Sequence, residues 1–288
     1  MAEMVALTTE VAKPRRRFFR LRNIVMFLAG VYLAAVVLLV CCENKIVYVP
    51  ATAAEFWRLS PMTNCQDVVL TSATGDTIHC WYFPRDKSDR VILYSHGNGA
   101  NLSGWGMAMF YWQLVCDSSV LIYDYPGYGR SSGSPNEAGC YAAAAAAWDW
   151  LTNKQSIAPE NIMLVGESLG GAMAIDLALH HPHRALVLTK AFTSIPDMAS
   201  AMFPWFPGRY LAQNRFDNLD KIHNCKGPVF IHHGRRDTLV PFSHGEQLFA
   251  AAQEPKEFLE EPEGHHDVAL PADFFPRLQK FLQQHGPN

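Results

Sequence analysis

The stretch Gly166-Glu167-Ser168-Leu169-Gly170 decides the reading of this chain. Before it runs Ile162-Met163-Leu164-Val165, a short apolar segment that reads as a buried strand; after it, Gly171 to His180 carries Ala, Met, Ile and Leu at helical spacing. G-x-S-x-G between a strand and a helix is the pattern of a nucleophile elbow. Such a turn strains the serine backbone, so the flanking positions must lack bulk, and glycine supplies that. The turn lifts the hydroxyl clear of the sheet and aims the next backbone N–H at the same spot. Ser168 is therefore the candidate nucleophile, against the plainer alternative of a structural Gly-Ser turn.

Working outward, strands and helices alternate. Val68-Val69-Leu70-Thr71 and Thr77 to Phe83, joined at Gly75-Asp76, read as a hairpin. The runs 91–94, 120–123, 185–188, 229–232 and 257–259 read as strands, and 102–115, 136–151, 242–252 and 273–284 as helices. This alternation indicates an α/β domain with a mostly parallel central sheet and helices on both faces, spanning residues 67–288. The alanine run 142–147 reads as a helix face packed close to the sheet. Residues 190–227 form a longer connection holding Phe203-Pro204-Trp205-Phe206-Pro207, which reads as a small lid-like insertion.

A serine hydroxyl needs a base, and the base needs an orienting carboxylate. On a parallel α/β sheet the expected chain order is Ser, acid, His. Asp237, in the loop after the 229–232 strand and before Val240-Pro241, is the candidate acid; the alternative is a loop or capping aspartate. The candidate base lies in Glu263-Gly264-His265-His266-Asp267, after a short strand and before the last helix. His265, directly after Gly264, is favoured, with His266 as the alternative. The tetrahedral intermediate requires two N–H donors. Leu169 is expected to supply one from its backbone, and Asn98 in Ser95-His96-Gly97-Asn98-Gly99-Ala100 the other, with Gly99 as runner-up. Asp124-Tyr125-Pro126-Gly127-Tyr128-Gly129 reads as a structural loop bracing the site floor. No nucleotide fingerprint and no metal-ligand spacing occurs, so no cofactor and no metal are expected.

The near-neutral net charge of −3 argues against a nucleic-acid partner. Lys13, Arg15, Arg16, Arg17, Arg20 and Arg22 cluster just before an uncharged apolar run, 24–42, long enough for a bilayer core. Residues 1–23 then read as a basic cytoplasmic tail, 24–42 as a transmembrane signal anchor, and 43–66 as a linker and entry to the fold. By the positive-inside bias the catalytic domain is expected on the non-cytoplasmic side of a single-pass protein. A cleaved signal peptide fits less well, because the run is long for an h-region and no A-x-A site follows. Cys41 and Cys42 are candidates for acylation or for simple packing at the helix end. The other five cysteines show no C-x-x-C pairing, and disulfides are not assigned. Asn101-Leu102-Ser103 fits a glycosylation sequon but lies beside the expected active site.

His96-Gly97-Asn98-Gly99, Asp124 to Gly129, Gly166 to Gly170 and Gly264-His265 together resemble the α/β-hydrolase superfamily, over residues 68–284. More particularly, the chain is similar to membrane-anchored α/β-hydrolase domain-containing proteins that include protein depalmitoylases, and to bacterial relatives. The resemblance implies an α/β-hydrolase fold with Ser168 as nucleophile, Asp237 as acid and His265 as base. In those relatives an asparagine often follows the triad histidine; His266 stands there in this chain. The expectation is a membrane-anchored serine hydrolase of carboxylic esters or thioesters, lipid-borne acyl substrates included. Peptidase or acyltransferase chemistry on the same triad, or a non-catalytic tethered scaffold, are the alternatives.

Overall fold

The computed structural model describes residues 15–286, with side chains from residue 20. Residues 1–14, the first part of the expected basic tail, lie outside the described residues. The chain divides into two units, one ending at Cys42 and one running from Glu43 onward. In the first, helix α1 (Arg15–Val47) begins earlier than the apolar run alone suggests, because backbone hydrogen bonding continues through the arginines. Its segment Arg20–Val47 contains an 18-residue window of mean hydropathy 2.9 and is long enough to cross a membrane.

The second unit holds an eight-stranded sheet: β1 (Gln66–Thr71), β2 (Thr77–Phe83), β3 (Val91–Ser95), β4 (Ser119–Tyr123), β5 (Ile162–Glu167), β6 (Ala185–Thr189), β7 (Val229–Gly234) and β8 (Lys256–Glu261). Their spatial order is β8-β7-β6-β5-β3-β4-β2-β1. The hairpin β1–β2 is antiparallel and β2 meets β4 antiparallel; every other pairing is parallel. Parallel strands covered on both faces carry unbroken apolar runs, and β3, β4, β5, β6 and β7 each hold one, with polar residues such as Glu167, His232 and His233 toward the C-terminal ends of β5 and β7.

The two-residue period of the strands sorts their side chains into two cores. Val91, Leu93, Leu121, Leu164, Leu186 and Ile231 pack on one face with Ala143, Ala147, Ala172, Ile175 and Leu248. Those partners come from α3 (Glu137–Asp149), α4 (Gly170–His180) and α8 (Phe242–Ala251). Ile92, Ile122, Val165, Val187 and Phe230 pack on the other with Met109, Trp112, Phe274, Leu278 and Phe281. These belong to α2 (Gly106–Cys116) and α9 (Phe274–His285). The alanines of α3 let it lie close to the sheet, as expected from its composition.

The entry segment 43–66 makes specific contacts with the body. Val49–Pro50 pairs with Gly99–Ala100, and the Tyr48 hydroxyl donates to Asn214 Oδ1 at 2.6 Å. His183 is buried, its Nδ1 bonded to the His181 carbonyl at 2.9 Å. All seven cysteines are free, with Cys80, Cys140 and Cys225 buried.

Candidate active site

Ser168 sits between β5 and α4 with φ +50°, in the left-handed region that side chains other than glycine rarely adopt. The strain is held by packing. A Cβ on Gly166 would lie 2.5 Å from the Gly170 carbonyl oxygen, and one on Gly170 only 1.9 Å from the Ser95 carbonyl oxygen. The Ser168 N–H donates to the Thr189 carbonyl at 2.9 Å, pinning the elbow to β6. Ser168 is 8% exposed and lines a cavity of about 770 Å³ at the C-terminal edge of the parallel strands. That edge is where open α/β sheets hold ligands.

Asp237 follows β7 in a tight loop. Its Oδ1 accepts from the N–H groups of Leu239 (2.9 Å) and Val240 (2.8 Å). Its Oδ2 lies 2.7 Å from His266 Nδ1, and His266 Nε2 lies 3.1 Å from Ser168 Oγ. The histidine in this position is thus His266 and not His265, which is exposed. The reason is the path of the chain after β8. Gly264 N–H closes a turn on the Glu261 carbonyl at 3.1 Å, and the Gly264 carbonyl accepts from Arg236 N–H at 2.9 Å. The turn sends the first histidine outward and the second toward the serine. Burial works to raise the Asp237 carboxyl, but the His266 hydrogen bond, the Val240 N–H and the charges of His266 and His233 outweigh it. The carboxyl is held below its ordinary range. With Nδ1–H donating to the carboxylate, Nε2 is left as acceptor for the serine proton, an assignment that follows from the hydrogen-bond network.

The loop after β3 abuts the nucleophile: a Cβ on Gly97 would lie 3.7 Å from Ser168 Cβ. Asn98 is fixed from several sides. Its Nδ2 donates to the Val47 carbonyl at 3.0 Å, and its own carbonyl accepts from Val49 N–H (3.1 Å) and the Tyr128 hydroxyl (2.7 Å). Leu169, buried, follows Ser168 at the start of α4. The Asp124–Gly129 loop braces this floor as expected: Asp124 Oδ1 accepts from Leu102 N–H at 2.7 Å, and the Tyr125 hydroxyl donates to the His96 carbonyl at 2.6 Å. Asn101 is fully buried, its Nδ2 donating to the Ala51 and Phe56 carbonyls, which removes the sequon from reach in the folded chain.

The cavity walls are mainly aromatic and apolar, with Tyr94, Trp105, Tyr111, Trp112, Leu239, Leu270 and Phe275 among them. Phe56 and Arg58 join from the entry segment, a contribution its composition does not announce. From the 190–227 connection the cavity takes Lys190; Trp205 and Phe206 do not line it. The connection instead carries helices α5 (Ile195–Met202), α6 (Gly208–Leu211) and α7 (Asn218–Ile222). It is laced to the body elsewhere. Glu137 accepts from the N–H groups of Arg215 and Phe216, Glu43 from those of Gln213 and Asn214, and Thr193 bonds His244.

Sequence reasoning missed three polar groups around the site. His233, buried behind the acid, holds Nε2 at 2.9 Å from the Val240 carbonyl and 3.5 Å from Asp237 Oδ2. His96 Nε2 lies 3.4 Å from Asp124 Oδ1, both side chains fully buried. Lys190 is buried between Glu167 and Val268. The signal available for His233 and His96 was position, since both sit at the C-terminal ends of strands. Among the described residues no three His, Cys, Asp or Glu side chains are grouped to hold a metal ion.

Residues 90–219 match the family described as alpha/beta hydrolase fold. Alpha/beta hydrolase domain-containing protein 17B of Homo sapiens is 36% identical over 249 residues, covering 81% of this chain and 84% of that protein. An uncharacterized protein of Mycobacterium tuberculosis is 33% identical over 241 residues, covering 79% and 82%. Among solved structures, an esterase of Pyrococcus furiosus superposes with a TM-score of 0.68 at 18% identity, covering 84% of this chain and 99% of that one. At that identity the likeness speaks to the fold.

Proposed function

The chain belongs to the α/β-hydrolase superfamily, in the branch of the alpha/beta hydrolase domain-containing 17 proteins, and from that premise we propose that it is a membrane-anchored serine hydrolase cleaving carboxylic esters or thioesters through an acyl-enzyme. The observation that carries the reading is the continuous contact chain from Asp237 to His266 (2.7 Å) to Ser168 (3.1 Å). In this reading His266 Nε2 takes the Ser168 proton as Oγ attacks the acyl carbon. Asp237 holds the imidazole in the tautomer that can accept and stabilises it once charged. The backbone N–H groups of Leu169 and Asn98 face the developing oxyanion. Collapse expels the alcohol or thiol, which takes its proton from His266. Water, activated by the same imidazole, then releases the acid.

The aromatic cavity suits an acyl chain, and its volume lies in the usual range for small-ligand sites, about 300–1,000 Å³. Helix α1 supplies the proposed single-pass anchor, and the arginines before residue 24 favour a non-cytoplasmic catalytic domain. Tethering raises the local concentration of lipid-borne acyl substrates without new contacts.

Labelling of the purified protein with a fluorophosphonate probe, followed by turnover of matched esters, thioesters and amides over a range of acyl lengths, tests the reading. Ser168→Ala should abolish labelling and cost at least about 10³-fold in turnover while leaving the fold intact. Turnover close to that of the unmutated protein would remove Ser168 as nucleophile. Preference for amides would favour a peptidase, and no labelling at all a scaffold.

A further inference from the structure

Lys190 is an unusual residue to find where it is. It follows β6 with φ +55°, a conformation costly for a residue with a side chain, and only 4% of its side chain is exposed. Burying an ammonium group costs free energy unless acceptors surround it. Two do. Nζ donates to the Val268 carbonyl at 2.8 Å and lies 3.7 Å from Glu167 Oε1. Glu167 is held in turn, its Oε2 accepting from the Tyr94 hydroxyl at 2.6 Å. The backbone of Lys190 is also fixed, its N–H donating to the His232 carbonyl at 2.9 Å.

The places these acceptors occupy in the chain give the arrangement its meaning. Glu167 is the residue before Ser168, and Val268 is two residues after His266. The loop carrying His266 has little burial of its own: Pro262, Glu263, His265, Asp267, Val268 and Ala269 are exposed. Segments with few buried contacts open locally at low free-energy cost. Yet the loop must keep an imidazole within hydrogen-bond reach of a serine on another element. We propose that Lys190 is a positioning residue that clamps the histidine-bearing loop to the nucleophile strand, bridging the Val268 carbonyl and the Glu167 carboxylate. Its ammonium group is engaged by Glu167 and Val268, which sets it apart from a cation that binds an anionic substrate group.

The activity arm of the test rests on the proposed hydrolase reading; a second arm does not. In the full-length protein in detergent, Lys190→Met should lower kcat roughly 10- to 100-fold, the scale set by a misplacement of about 1 Å, with KM nearly unchanged. Lys190→Arg, which can still reach both acceptors, should recover most of the loss. The double variant Lys190→Met with Glu167→Gln should stay low, since the Val268 contact is still missing. Hydrogen exchange should accelerate in residues 264–270 of Lys190→Met and not in the strands. If Lys190→Met does not fold, Lys190→Gln, which keeps a polar head in the buried site, takes its place in every comparison. The clamp is refuted by kcat within twofold of the unmutated protein, by a rise confined to KM, by full recovery in the double variant, or by unchanged loop exchange. Persisting turnover in Ser168→Ala would instead overturn the hydrolase reading, and the exchange result would stand.

Discussion

Replacing each of the two adjacent histidines separately tests the site most sharply. His266 Nε2 is 3.1 Å from Ser168 Oγ and its Nδ1 2.7 Å from Asp237 Oδ2, whereas His265 is exposed. His266→Ala removes the proton acceptor and leaves the Asp237 carboxylate bonded to the N–H groups of Leu239 and Val240 but without its imidazole partner. Base and nucleophile act as one unit, so the loss should match that of Ser168→Ala, at least about 10³-fold in kcat. That factor corresponds to about 4 kcal/mol of lost transition-state stabilisation. His265→Ala removes an exposed side chain and should stay within about threefold, since surface changes away from such networks usually alter little. The assay is steady-state hydrolysis of a short-chain p-nitrophenyl ester, with fluorophosphonate labelling rates as a check independent of product release. Thermal melts of both variants confirm that each is folded. A severe loss in His265→Ala with near-normal His266→Ala would refute the reasoning. It would mean that the turn after β8 seats the other imidazole at the serine in the working enzyme.

Other consequences can be measured directly. Gly170→Ala should destabilise the protein by about 3 kcal/mol or more, or prevent folding, because its Cβ would fall 1.9 Å from the Ser95 carbonyl oxygen; a melt close to that of the parent would contradict the elbow packing. His244 is buried, which holds its pKa below the ordinary value, and its Nδ1 accepts from Thr193 N–H at 3.2 Å. A depressed folded pKa means that the unfolded chain binds the proton first, so stability should decline as pH falls below about 6.5. Denaturant titrations from pH 8 to pH 5 should show that slope, and His244→Gln should reduce it, the remainder coming from His183, His232 and His233, whose pKa values burial also lowers. Removal of residues 1–42, with Glu43 kept for its bonds to Gln213 and Asn214, should leave a soluble enzyme that cleaves water-soluble esters and loses rate mainly on substrates in vesicles. Protease treatment of intact cells or spheroplasts should degrade the domain beyond residue 43; protection until lysis would place that domain in the cytoplasm.

What could be read in the chain and what could not divides along a physical line. The parallel strands were legible because burial on both faces forces unbroken apolar runs such as Ile162 to Val165 and Val229 to Ile231. Ser168 was legible because only glycine tolerates the approach of Gly170 to Ser95, so steric need is written into the local sequence. The choice between His265 and His266 was not. Both follow β8, and which one reaches the serine depends on a turn closed by Glu261, Gly264 and Arg236, a contact set with no periodic signature. The aromatic patch at Trp205 marked an insertion but carried no information on which part of the body it would cover. Its anchoring through Glu137 and Glu43 depends on pairs far apart in the chain. The same holds for Lys190, which meets Val268 across 78 residues. Local sequence specifies elements whose residues each satisfy a constraint alone. The loops of this site are instead held by pairs such as Asn98 with Val47 and Lys190 with Val268, in which neither residue is unusual until the other is in place. It follows that substitutions in the apolar strand runs and at Gly166 or Gly170 should act chiefly on folding, and substitutions in these long-range pairs chiefly on the geometry between Ser168 and His266.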